Sequence, residues 1–149
     1  MSAEFTGIER RLDELSERLA RLKPLSDKPR SDFDEDPYLR DIVERNLEVS
    51  AQCCIDISHR IISIEGARKP IDYYDAISRM GELGVLQADF ARQLAPVAGF
   101  RNVLVHEYVA VDWDEVYKAL HRLEDFEQFG RSVRQWLANR VSSSEDPGY

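Results

Sequence analysis

Between residues 101 and 108 the chain reads RNVLVHEY, which sets an arginine, an asparagine, a histidine and a tyrosine into an otherwise apolar stretch. A histidine moves a proton near neutral pH. An arginine grips a phosphate through two parallel hydrogen bonds and steadies charge developing on it. An asparagine orients a hydroxyl or a phosphate oxygen. The set needs no metal, and RNA brings its own nucleophile, the 2′-hydroxyl. Arg101 and His106 would therefore suit cleavage through a cyclic phosphate without a cofactor. Acid–base work needs one group to take a proton and another to give one, and two copies of the motif across a symmetric dimer would supply both.

On a helix turning about 100° per residue, Asn102 lies about 100° from Arg101, His106 about 140° and Tyr108 about −20°. The four polar groups share one arc of roughly 160°, with Val103 and Leu104 largely outside it. Asn102 and His106 are neighbours at i and i+4, and Tyr108 rides the stripe of Arg101. Spacing alone leaves two readings open: a hydrogen-bonded structural histidine, or an acid–base group beside an anion site.

Helices must carry this set. Ile8, Leu12, Leu15, Leu19 and Leu22 line one face of a first helix with a seam like that of a coiled coil. That seam either docks on the chain's own bundle or adds to an interface between copies. Pro24 and Pro29 end the helix. Asp36 as N-cap and Pro37 at the first position open a second helix, Tyr38 to Glu65, with an apolar face through Val43, Leu47, Cys54, Ile57, Ile61 and Ile64. A further stripe through Leu39, Ile42, Val49 and Cys53 predicts burial on two sides, and Gly66 is its stop. Asp72 caps a short helix that ends at Gly84. The next runs from about Leu86 to Tyr108 and is kinked or broken at Pro96. Asp112-Trp-Asp-Glu115 has capping-box spacing and launches a long helix through Leu137.

No strand alternation, repeat or Gly-rich phosphate loop is visible. The expected fold is all-α, an up-and-down bundle of four to five helices. Its expected layout is an N-terminal amphipathic helix (1–24) packing on the bundle, a polar linker (25–36), the bundle proper (37–138) and a disordered tail (139–149).

The 149 residues suit one domain with a real core, and an apolar fraction of 43% argues against general disorder. A net charge of −8 is opposite to the broad basic footprint of a nucleic-acid binder, so RNA would be handled by a local site and no DNA binding is expected. Much of the acidity sits in Asp32, Asp34, Glu35, Asp36, Asp41 and Glu44, read as a solvated stretch. Cys53 and Cys54 are adjacent, cannot readily bridge, and read as reduced and buried. No Cys/His cluster suggests zinc. The N-terminus lacks the apolar core of a signal peptide and no run is long enough to span a membrane, so a cytoplasmic location is expected.

The string Arg101-Asn102-(Val-Leu-Val)-His106-Glu107-Tyr108 resembles the R-x4-H-x-Y signature of HepT-like toxins, a branch of the HEPN superfamily. The stretches CIDISHRII, YYDAISRMGELGVL and GFRNVLVHEYVAVDWDEVY extend the resemblance from about Ile8 to Leu137. It implies a HEPN-like helical bundle that forms a homodimer or higher homo-oligomer, with two motifs facing each other. It also implies metal-independent endoribonuclease activity, on a tRNA or an mRNA, as the toxin of a prokaryotic toxin–antitoxin pair. The implied antitoxin is a minimal nucleotidyltransferase of the MntA type, which transfers AMP from ATP to the motif tyrosine. By position, Arg101 and His106 would be catalytic, Asn102 supporting and Tyr108 the modified residue.

Two rival readings use the same residues: a non-catalytic dimeric binding partner of a nucleotidyltransferase, favoured by the net acidity, and a purely structural bundle. His59, in IDISHRII, is either a cleft residue or a partly buried structural histidine. His121 reads as surface, and Tyr73 and Tyr74 as packing rather than chemistry.

Overall fold

The computed structural model describes residues 3–106 and 111–145. Helix α1 (Ala3–Leu22) turns its expected seam entirely inward: Ile8, Leu12, Leu15, Leu19 and Leu22 are all buried. The seam packs within the chain, against α3 (Pro37–Ile64) and α8 (Leu123–Glu145), so it is not free to join a second copy.

The stretch expected as a polar linker, 25–36, is largely helical. Pro24 starts a 3₁₀ turn over Lys23–Asp27, and α2 follows at Arg30–Glu35. Phe33 explains why: it is fully buried and stacks on Trp113 with ring centroids 5.3 Å apart. Arg40 donates to the carbonyls of Phe33 and Asp34 at 2.6 and 2.9 Å, closing the end of α2 over the start of α3.

In α3 the Asp36 carboxylate accepts from the backbone N–H of Tyr38 and Leu39 at 3.0 and 3.2 Å, as its cap position requires. The helix is the central element of the bundle. Three of its buried polar side chains are hydrogen-bonded: Ser50 and Ser58 donate to carbonyls four residues back, and Asn46 donates to Ile42 and accepts from Arg18 of α1. Ile42, expected on a buried stripe, is instead half exposed, since that side of the first turns faces solvent. Gly66 stops the helix with φ at 68°.

Helix α4 (Tyr73–Glu82) begins at Asp72, whose side chain accepts from the Asp75 N–H at 2.7 Å. It crosses α5 (Ala88–Leu94) closely at Gly81, where a Cβ would stand 2.9 Å from the Ala91 methyl. Pro96 breaks the expected 86–108 helix in two, giving α5 and α6 (Val97–His106).

The expected final helix is also divided, into α7 (Trp113–Leu120) and α8. At the break the backbone tightens into a 3₁₀-type turn, His121 N–H donating to the Lys118 carbonyl at 3.1 Å, and His121 Nδ1 lies 2.7 Å from the Tyr117 carbonyl. Asp112 caps α7 through the Asp114 N–H at 3.0 Å. Helix α8 continues to Glu145, so residues 139–145 are helical and not a disordered tail. Glu65, just past α3, accepts from Trp136 Nε1 at 3.2 Å and from Arg140, fastening α8 to the far end of α3.

Both cysteines are free and buried. Burial pushes the Cys53 thiol up to about 11, with Glu14 and Asp56 adding to the effect, and holds Cys54 well above the ordinary thiol range. At pH 8 the thiolate fraction of Cys53 is then about one in a thousand, and thiolate is the reactive form. The native protein is expected to react with neither equivalent of Ellman's reagent, and the guanidinium-unfolded protein with both. Rapid native labelling would contradict the burial.

Candidate functional site

The motif arginine owes its position to the proline break. After Pro96 a fresh helix starts, with the Phe100 N–H donating to the Pro96 carbonyl at 3.2 Å. Ala98 is buried, and Val97, Phe100 and Leu104 pack against the core, so α6 lies on α3 and α4 by that face. Arg101 then falls at the edge of the packed face, half-buried, and Asn102 points to solvent.

The guanidinium of Arg101 is held in an unusual way. Its Cζ lies 5.8 Å from the centre of the Tyr73 ring. Nη1 donates to the neighbouring Asn102 Oδ1 at 3.3 Å, and among the described residues the buried Nε has no hydrogen-bond partner. Among the described residues no carboxylate pairs with it. An arginine supported by an aromatic face keeps its full charge, whereas one paired with a carboxylate would have to exchange that partner for a phosphate.

His59 enters from α3. Its ring meets Tyr73 edge to face, centroids 5.7 Å apart and planes at 84°. Among the described residues the buried Nε2 of His59 has no hydrogen-bond partner. The same histidine lines an open cleft of about 510 Å³ with Gly7, Arg11, Asp56, Arg60 and Ser63. His59 thus belongs to a cleft and shares a ring contact with the motif arginine's support. Tyr73, expected as packing, is the residue that joins them. A sequence signal for its placement existed in Asp72, which fixes the first turn of α4, but nothing in the sequence pointed that turn at α6.

The remaining expected residues divide. His106 closes α6, with its side chain outside the described residues, and Tyr108 lies outside them altogether. The expected reach of Asn102 toward His106 falls on a side chain outside the described residues; within them Asn102 accepts from Arg101. Tyr74 is half exposed, and His121 is exposed and packs on Tyr117, ring centroids 4.4 Å apart. Among the described residues no group of three or more His, Cys, Asp or Glu side chains could hold a metal ion, and no helix is long and apolar enough to cross a membrane.

Known proteins share this architecture and this stretch of sequence. A family model described as ribonuclease HepT-like matches residues 15–133. The tRNA nuclease HepT of Aphanizomenon flos-aquae is 30% identical over 131 residues, covering 87% of this chain and 89% of that protein. The mRNA nuclease HepT of Shewanella oneidensis is 32% identical over 100 residues, covering 66% of this chain and 75% of that protein. Among solved structures, the tri-AMPylated Shewanella oneidensis HEPN toxin in complex with MNT antitoxin superposes with a TM-score of 0.78 at 26% identity, over 91% of this chain and 99% of that one. The matched region takes in the long α3 that carries His59, the α4 start that carries Tyr73 and the whole of α6. With its bundle, its R-x4-H string and this extent of match, the chain belongs to the HepT-like ribonuclease family.

Proposed function

We propose that this protein is a metal-independent endoribonuclease, the cytoplasmic toxin of a toxin–antitoxin pair, working as a homodimer. The observation that carries the reading is the state of Arg101, whose charge rests on an aromatic ring and pairs with no carboxylate among the described residues. Such a cation suits a phosphate that must enter and leave.

In the proposed reaction His106 of one protomer takes the proton from the 2′-hydroxyl, whose oxygen then attacks the adjacent phosphorus. The bond to the 5′-oxygen breaks, and the His106 of the second protomer donates a proton to that oxygen. The products are a 2′,3′-cyclic phosphate and a 5′-hydroxyl. Arg101 stabilises the charge building on the phosphoryl oxygens, and Asn102, hydrogen-bonded to it, supports its orientation. No metal or cofactor enters these steps.

The proposed antitoxin is an MntA-type nucleotidyltransferase. The Tyr108 hydroxyl attacks the α-phosphorus of ATP, a phosphodiester to AMP forms, and pyrophosphate leaves. On the helical wheel Tyr108 shares the stripe of Arg101, so an adenylyl phosphate there would occupy the arginine's own anion site and exclude RNA by charge and bulk. The HepT relatives are named as nucleases of tRNA in one case and of mRNA in the other, which supports an RNA substrate here.

The test is cleavage of tRNA and of total RNA by the unmodified protein in EDTA, before and after incubation with the transferase and ATP. Discrete products, lost as intact mass rises by AMP increments mapped to Tyr108, are expected. The net charge of −8 favours one second reading, a non-catalytic partner of the transferase. An unmodified dimer that binds the transferase yet turns over no RNA would establish that instead.

A further inference from the structure

We infer that Tyr73 is a positioning residue: its ring holds the Arg101 guanidinium in place while leaving the charge unneutralised. The inference rests on the proposed role of Arg101 at the scissile phosphate and adds a residue to that site.

The ring has the fixity this role needs. Tyr73 is the first residue of α4, and the turn before it is tied down by three interactions. Asp72 accepts from the Asp75 N–H at 2.7 Å, and Asp75 accepts from the Ile71 N–H at 3.0 Å. Asp75 also pairs at 3.6 Å with Arg79, which is itself buried and donates to the Arg68 carbonyl. On the other side the His59 ring abuts Tyr73 edge to face from the rigid α3. Tyr73 is thereby wedged between a capped helix start and the central helix.

Among the described residues Arg101, by contrast, has little else to orient it: one side-chain hydrogen bond, at 3.3 Å, goes to the exposed Asn102, and its Nε has no partner. Without the ring, the long side chain would sample several rotamers and lose the geometry that a bidentate phosphate contact demands. A carboxylate could orient it as well, but at the cost of competing with the phosphate. An aromatic face orients without competing.

The test replaces Tyr73 in the full-length unmodified protein and reads cleavage kinetics on a defined RNA. Tyr73→Phe keeps the π face and is expected to retain kcat within about twofold. Tyr73→Leu removes the face, and pentafluorophenylalanine at position 73 keeps the shape while abolishing the face's negative potential. Both are expected to lower kcat by about 5- to 30-fold, the scale of a partly desolvated cation–π contact, with a smaller change in KM. The fluorinated variant guards against a leucine variant that fails to fold. A second readout needs no turnover: the Arg101 Nε–H resonance should carry a ring-current shift in the wild type and Tyr73→Phe, and lose it in Tyr73→Leu. Wild-type kcat in both the leucine and fluorinated variants, with Arg101→Ala inactive, would overturn the positioning role alone. Tyr73→Phe as impaired as Tyr73→Leu would also overturn it, by assigning the effect to the hydroxyl. Undiminished cleavage by Arg101→Ala would remove the site reading itself.

Discussion

Replacing Arg101 or His106 with alanine is expected to lower RNA cleavage by about 10²- to 10⁴-fold each, the range for losing a positioned proton-transfer group or a charge-stabilising donor. The folded state should barely notice. Arg101 is half-buried and, among the described residues, makes one side-chain hydrogen bond to an exposed neighbour, so its removal leaves no carboxylate stranded there. The thermal midpoint of Arg101→Ala should therefore stay within a few degrees of the wild type, and far-ultraviolet circular dichroism should be unchanged. The double variant is expected to be no worse than the poorer single one, because residues acting on one transition state are strongly non-additive. Cleavage at wild-type rate by both single variants would remove the nuclease assignment of this motif. Activity lost in step with the melting temperature would instead make the motif structural.

The largest expected stability effect lies elsewhere, at Phe33. Its ring is fully buried, stacks on Trp113 at 5.3 Å and meets Tyr117 edge to face at 6.0 Å. Phe33→Ala deletes most of a large aromatic from a packed site and is expected to cost about 3–5 kcal/mol. For a chain of this length that lowers the melting temperature by roughly 6–20 °C. The effect also has an address. Phe33 clamps α2 onto α7, and Arg30 of α2 reinforces the contact through its 2.7 Å bond to Asp114. That bond is the main reason the Asp114 carboxyl sits below its usual range. A folded-state value below the unfolded one contributes stability above the unfolded carboxylate range and loses it as pH falls through the folded value. Thermal melts of Phe33→Ala and wild type at neutral pH decide the matter, and a difference under about 1 kcal/mol would show that the site can collapse around the missing ring.

What could be read from the sequence was whatever local chemistry dictates. Asp36 before Pro37, Asp72 and Asp112 announced three helix starts, since a short acidic side chain satisfies the free N–H groups of a first turn. Pro96 announced a break for the equally local reason that it lacks a donor. The α1 seam was visible in its spacing, although whether it faced the chain's own core or a second copy was not. Phe33 was hidden because one aromatic in a polar stretch has no period to betray it. The α7–α8 break was hidden because neither proline nor glycine marks it in the sequence. At the site, the motif residues were legible as a string on one helix, while the Tyr73 support was not. Contacts among residues 59, 73 and 101 exist only once three helices have packed, and no spacing along a single helix encodes them.

Helix α3 packs against α1, α2, α4, α6, α7 and α8 at once. It consequently has no private way to open: any fluctuation that frees its central amides must strip most of the bundle, and those amides should exchange with deuterium only through global unfolding. Helix α6 lies on α3 and α4 by one face, and its amides are expected to exchange through a smaller opening at lower free energy. His59 therefore stands on the part of the molecule that stays closed for as long as the protein is folded. Arg101 stands on the part expected to exchange sooner, and the ring of Tyr73 lies at the seam between the two.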